Sequence, residues 1–139
     1  MTKDELYSQV RDVLHSFPEI QLGIVYGSIA SKRIRQSSDL DIAVMGTKPL
    51  SYEARLSISE TLEKKVQREI DLVDLYNLHG PLLHQIFAQG KIVFKRSSKV
   101  LAFLLKRLWY EQEDMMPLTR NIMKKQLENY FYEQGRHPK

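Results

Sequence analysis

The chain has 139 residues, enough for one domain with a buried core, and its 42% apolar and 27% charged residues are the balance of a folded globular protein. The absence of cysteine excludes disulfides and thiolate metal sites, Met1–Glu5 lacks the apolar core of a signal peptide, and no run approaches a membrane span, so a cytoplasmic protein is expected. A formal net charge of +4 suits nucleotide phosphates, nucleic acid or an acidic protein partner without choosing among them, and no nucleic-acid-binding motif with aromatic platforms is visible.

In chain order, Thr2 with Glu5 three residues later reads as a capping box. Leu6, Val10, Val13, Leu14 and Phe17 follow at helical spacing until Pro18, predicting a first helix that covers one side of a sheet. His15 on it reads as a surface or half-buried residue. Residues 20–26 (Ile-Gln-Leu-Gly-Ile-Val-Tyr) predict a strand that delivers Gly27 and Ser28 at its end. Glycine there permits positive φ and close backbone approach to a ligand, and serine adds a hydroxyl and an N–H able to hold phosphate oxygens.

A polar loop, residues 29–38, carries Lys32, Arg33 and Arg35 and leads into a second strand. Strand alternation puts Asp39, Asp41 and Ala43 on one face and Leu40, Ile42 and Val44 on the other, toward a core. Two carboxylates on one face repel each other unless a positive charge stands between them. A hard divalent cation such as Mg²⁺, which takes oxygen ligands and completes its shell with phosphate oxygens, is the natural occupant. The bland alternative, a solvated hairpin, leaves the placement of Gly27 and Ser28 unexplained.

Gly46 and Pro49 mark a turn, Ser51 reads as an N-cap, and Ala54, Ile58, Leu62 and Val66 predict an amphipathic helix ending near Gln67 or Arg68. Lys64 and Lys65 lie on its solvated face. Residues 69–75 predict a third strand, with Asp71 and Val73 on one face and Asp74 with Ile70 and Leu72 on the other. Only one of these two aspartates can join Asp39 and Asp41. Pro81 and Gly90 bracket a short helix in which Leu82, Leu83, Ile86 and Phe87 pack inward, and residues 91–95 form a last short strand. His79 and His84 are five apart, which is not the helical i, i+4 ligand spacing, so no zinc site is expected.

From Ser98 the pattern is helical. Val100, Leu101, Leu104, Leu105, Leu108 and Trp109 form a broad apolar stripe widened by Phe103, and beyond Pro117, Ile122, Met123, Leu127, Tyr130 and Phe131 predict a second helix. Most of these residues read as core, while Trp109, Met115, Met116 and Tyr130 to Tyr132 also suit a protein partner. The order of elements gives an α/β (α+β) domain with a small mixed sheet flanked by helices and a helical pair at its end. Residues 1–139 form one domain, with a core at about 20–95 and the helices at about 98–133.

Gly27-Ser28, a spacer and Asp39-x-Asp41 together resemble the signature of the DNA-polymerase-β-like nucleotidyltransferases. The size, the complete motif and the helical tail are similar to the minimal nucleotidyltransferase antitoxins that accompany HEPN-type RNase toxins. The resemblance covers roughly residues 20–95, and it departs from many relatives at Ile29, where they carry arginine. It implies ATP as substrate, two Mg²⁺ ions on Asp39, Asp41 and Asp71, and phosphates held by Gly27 and Ser28, with Lys32, Arg33 and Arg35 as a basic clamp. It assigns the third carboxylate, from the neighbouring strand, to Asp71 at the head of Asp71-Leu72-Val73. It further implies transfer of AMP to a tyrosine hydroxyl of a HEPN-type toxin, and a stable complex with that toxin. With no separate substrate domain, the active face is expected to be shallow and open to a large partner. Two alternatives are a transferase acting on a small molecule or nucleic acid, and a non-catalytic antitoxin that covers its partner. The first class usually carries a larger substrate domain, and the second tends to lose the carboxylates that are all present here.

Overall fold

Local sequence decides where the elements start. The structure, a computed structural model, describes residues 2–27, 39–111, 124–126 and 128. Helix α1 (Lys3–His15) begins where the Thr2 hydroxyl accepts the Glu5 N–H at 3.1 Å, and α2 (Tyr52–Val66) where the Ser51 hydroxyl accepts the Ala54 N–H at 3.1 Å. At the far end of α2, Gln67 turns left-handed at φ 58° and stops the helix. Helix α3 (Pro81–Gln89) has proline at its first position, and α4 (Ser98–Tyr110) carries the leucine stripe.

Four strands, β1 (Leu22–Tyr26), β2 (Leu40–Met45), β3 (Ile70–Asp74) and β4 (Lys91–Lys95), form one sheet in the order β3-β2-β1-β4. The central β1 is antiparallel to both β2 and β4, whereas β2 and β3 run parallel through the α2 crossover. One face buries Val25, Leu40, Ile42, Val44 and Leu72 beneath Leu6, Val10 and Leu14 of α1 and Ile58 and Leu62 of α2. The other buries Leu22, Ile24, Ala43 and Met45 beneath Leu83 and Ile86 of α3 and Leu101, Leu104 and Leu108 of α4. Each such aliphatic side chain contributes roughly 1.5–3 kcal/mol of burial.

Arg96, just past β4, gathers the carbonyls of His15, Phe17 and Pro18 at 2.7, 3.1 and 2.8 Å, satisfying acceptors that the end of α1 leaves open. Leu82 differs from expectation: it is exposed, because it falls outside the Leu83–Ile86–Phe87 stripe. Trp109 and Phe103 are likewise about half exposed, at 50% and 55%, flanking a stripe already filled by leucines. In the predicted terminal helix, residues 124–126 and 128 are helical, and the other positions of that segment lie outside the described residues. Among the described residues no helix is long and apolar enough to cross a membrane.

Candidate active site

Three strands bring the motif together at one edge of the sheet. Because β1 opposes β2 while β2 and β3 are parallel, the end of β1 lies beside the beginnings of the other two. In register, Tyr26 pairs with Asp41 and Asp41 with Asp71. Registered partners share a face, so these three side chains form a row across about 10 Å of sheet. Asp39 precedes β2 by one position and is exposed, Asp41 is half-buried, and Asp71 is exposed.

Gly27 follows Tyr26 with φ +79°, a conformation that L side chains rarely adopt. A Cβ at this position would overlap Oδ2 of Asp41 and stand 3.1 Å from its Cγ. The backbone at Gly27 therefore stands directly against the Asp41 carboxylate.

The electrostatics follow from that crowding. Burial, then Asp71, then Asp39 push the Asp41 carboxyl above its ordinary range. Burial, then Asp41, then Asp71 push the Tyr26 phenol up to about 12. A divalent cation brought between the carboxylates would relieve this excess negative potential, and the donors are the oxygens Mg²⁺ prefers. Among the described residues no three acidic or histidine side chains close into a ready-made cage. A half-built site of this kind fits an ion whose remaining ligands come from phosphate and water.

Ala43, next on the aspartate face, is fully buried with Met45, and the half-buried Val73 packs against the same cluster beneath α3 and α4, so the face that carries the carboxylates turns apolar one step further in. The two β3 aspartates part as alternation requires. Asp71 lies beside Asp41, whereas Asp74 accepts the Leu50 N–H at 2.9 Å and the Tyr76 N–H at 3.0 Å, securing the chain on either side of the strand. Ser28, Lys32, Arg33 and Arg35 lie outside the described residues. His79 and His84 converge on Glu111, whose carboxylate accepts from His79 Nδ1 at 2.5 Å, His84 Nε2 at 3.2 Å and the Gly80 N–H at 3.2 Å. Beside it, Arg107 donates to the carbonyls of Leu75, Leu78 and Tyr76 at 2.8, 2.8 and 2.7 Å. Tyr26 was legible only as a strand end; its place opposite Asp41 requires the hairpin register.

The pattern of the polymerase beta nucleotidyltransferase family matches residues 8–99, more than half of the chain. Over 91 residues the chain is 30% identical to the protein adenylyltransferase MntA of Shewanella oneidensis, a match covering 66% of this chain and 63% of that protein. The matched stretch is thus less than two thirds of the relative's length. The chain also resembles solved structures. One is a tri-AMPylated Shewanella oneidensis HEPN toxin in complex with MNT antitoxin, with a TM-score of 0.63, 23% identity, and 88% of this chain and 99% of that chain covered. Another is a toxin–antitoxin with AMP-PNP, with a TM-score of 0.60, 25% identity and the same 88% and 99% coverage.

Proposed function

The chain belongs to the polymerase beta nucleotidyltransferase family, and on that footing we propose that it transfers AMP from ATP to a tyrosine hydroxyl of a HEPN-type toxin and holds that toxin in a complex. The observation that carries this reading is the row of Asp41 and Asp71 in register, closed on one side by Gly27, where a Cβ would overlap the Asp41 carboxylate. The similarity to a protein adenylyltransferase and to the antitoxin of an AMPylated HEPN toxin complex supports a protein acceptor and a toxin partner, while the tyrosine hydroxyl rests on the resemblance to the minimal nucleotidyltransferase antitoxins.

Asp39, Asp41 and Asp71 would hold Mg²⁺. When bound, the metal would supply charge neutralisation at the triphosphate and a lowered pKa for the attacking hydroxyl. The chain's own part is positioning. Gly27 clears the space in which the Asp41 carboxylate stands, and the sheet fixes Asp71 beside it. In the reaction the acceptor oxygen bonds to the α-phosphorus, the α–β phosphoanhydride bond breaks, and pyrophosphate leaves with the bridging oxygen. Asp71, exposed at the rim, takes the hydroxyl proton or orients the attacking group. Holding nucleotide and hydroxyl in line at an edge accounts for much of the rate. On the sequence pattern, Gly27 and Ser28 hold the phosphates, Lys32, Arg33 and Arg35 clamp them, and residues 1–139 act as one unit.

The test is the intact mass of a co-expressed HEPN partner after incubation with this protein, ATP and Mg²⁺, with an Asp39→Asn, Asp41→Asn protein as control. Mass steps equal to AMP, absent in the control, are expected. Tight complex formation without any step would replace transfer by steric covering.

A further inference from the structure

Strand β3 ends the sheet on the side of the carboxylate row, and among the described residues no strand pairs with its far edge. The Leu40 N–H donates to the Glu69 carbonyl at 2.9 Å and the Leu75 N–H to the Val44 carbonyl at 2.8 Å. With the parallel register unbroken between them, Asp71 and Val73 turn their backbone groups toward β2, and Ile70 and Leu72 turn theirs outward. Two of those outward groups meet long side chains of α2. The Ile70 N–H donates to Glu63 Oε1 and Arg55 Nη2 donates to the Leu72 carbonyl, both at 3.5 Å, which is loose for a hydrogen bond. Tyr52, Leu56, Ser59 and Glu63 follow one another at helical spacing, so the stripe of α2 that reaches this edge also carries two exposed apolar side chains, Tyr52 at 75% and Leu56 at 46%.

We infer that the groove between the open edge of β3 and α2 takes an extended, tyrosine-bearing segment of the partner protein as an added strand, which presents the acceptor hydroxyl to the carboxylates. The inference rests on the reading of the chain as a protein adenylyltransferase and adds how the acceptor arrives. The occupant follows from continuity with the site. Tyr26, Asp41 and Asp71 stand in register across three strands, and a further strand would lie roughly 5 Å beyond β3. Its residue opposite Asp71 becomes the next member of the row, with its side chain on the face of the carboxylates. The residues before and after it point to the other face, where Leu56 and Tyr52 offer apolar contact. The outward groups of Ile70 and Leu72 give such a strand its main-chain hydrogen bonds, and the alternating side chains give it selectivity.

The experiment compares hydrogen exchange at the β3 amides in the full chain alone and in complex with a co-expressed HEPN partner, beside the rate of AMP transfer. The Ile70 and Leu72 amides are expected to exchange about tenfold more slowly in the complex, with Asp71 and Val73, already bonded to β2, as the internal reference. Ile70→Pro removes an outward N–H at the first residue of the strand, where proline is tolerated, and Ile70→Val keeps it. Leu56→Glu places a charge on the exposed border of the groove. Ile70→Pro and Leu56→Glu should each raise the KM for the partner about tenfold and leave the KM for ATP unchanged. Ile70→Val should transfer as wild type does, and Leu56→Glu should melt as wild type does, which separates docking from folding. If AMP is transferred while Ile70 and Leu72 exchange as in the free chain and Leu56→Glu keeps the wild-type KM, strand addition is overturned and the adenylyltransferase reading stands. If the partner gains no AMP from the wild-type protein, the reading and the inference fall together.

Discussion

The Asp41 carboxylate occupies the space in which a side chain at position 27 would stand: a Cβ on Gly27 would overlap its Oδ2. The carboxylate and the glycine are therefore one feature, although Asp41 lies on β2 and Gly27 just past the end of β1. Gly27→Ala is expected to push Asp41 aside and to add about 1–2 kcal/mol of backbone strain from the positive φ. A displacement of this size costs on the order of 100-fold in transfer rate. AMP transfer measured beside thermal unfolding checks it; an active Gly27→Ala protein would show that the carboxylate is not held where the reaction needs it.

The two aspartates of β3 should separate in opposite directions. Asp74→Ala removes the acceptor for the Leu50 and Tyr76 N–H groups and is expected to cost roughly 1–3 kcal/mol of stability with transfer retained. Asp71→Ala should abolish transfer and leave stability unchanged or higher, since it relieves the charge on Asp41. Denaturant unfolding and the mass assay, run on both proteins, decide the matter. Loss of transfer in Asp74→Ala with full stability would reverse the assignment.

Asp41 also gives stability a sign with pH. Its carboxyl is raised in the folded state, so the stability it lends belongs to the protonated form and is lost as pH rises through the folded value. At neutral pH, without divalent ions, the ionised group is a burden. Asp41→Asn should then be more stable than wild type in chelator at pH 7, with the advantage shrinking as pH falls into the carboxylate range. Urea melts at pH 7 and pH 4 test this, and an Asp41→Asn protein less stable at pH 7 contradicts it.

Glu111 behaves the other way. Burial pushes its carboxyl up, but the bonds from His79, Gly80 and His84 outweigh that and hold it below its usual value. The stability it adds is present above the unfolded carboxyl pKa and is lost as pH falls through the lower folded one. Glu111→Gln should cost about 1 kcal/mol near neutrality. That difference should disappear in acid. Melting curves across the range check it, and a cost independent of pH would contradict it.

Much of this was legible in the sequence, for reasons that are local. Thr2 and Ser51 cap the helices they precede, and alternation alone places Leu40 and Ile42 opposite Asp41. Alternation also separated Asp71 from Asp74, but it did not say which stands beside Asp41; that needed the parallel register of β2 with β3. The places of Tyr26, Arg107 and Glu111 depend on partners in other elements, which no spacing within one element reveals. Trp109 belongs to the apolar stripe by helical spacing, which fixes direction more sharply than depth: it follows the last buried leucine, Leu108, by one position and lies half outside. The burial of Ala43 was hidden for a similar reason, since the aspartate face is polar at its edge and apolar one step further in.

The central place of β1 has a consequence for synthesis. One of its neighbours, β2, follows soon after it, but Leu22 must wait for Lys95 before its other edge is paired. Until β4 emerges from the ribosome, the nascent chain carries a buried-type strand, Leu-Gly-Ile-Val-Tyr, with an open edge and an uncovered apolar face. Such a segment is a template for pairing with the wrong chain. A chain halted before Gly90 is therefore expected to aggregate rather than persist as a smaller folded domain; the five residues Lys-Ile-Val-Phe-Lys close the edge, and α4 behind them covers the face.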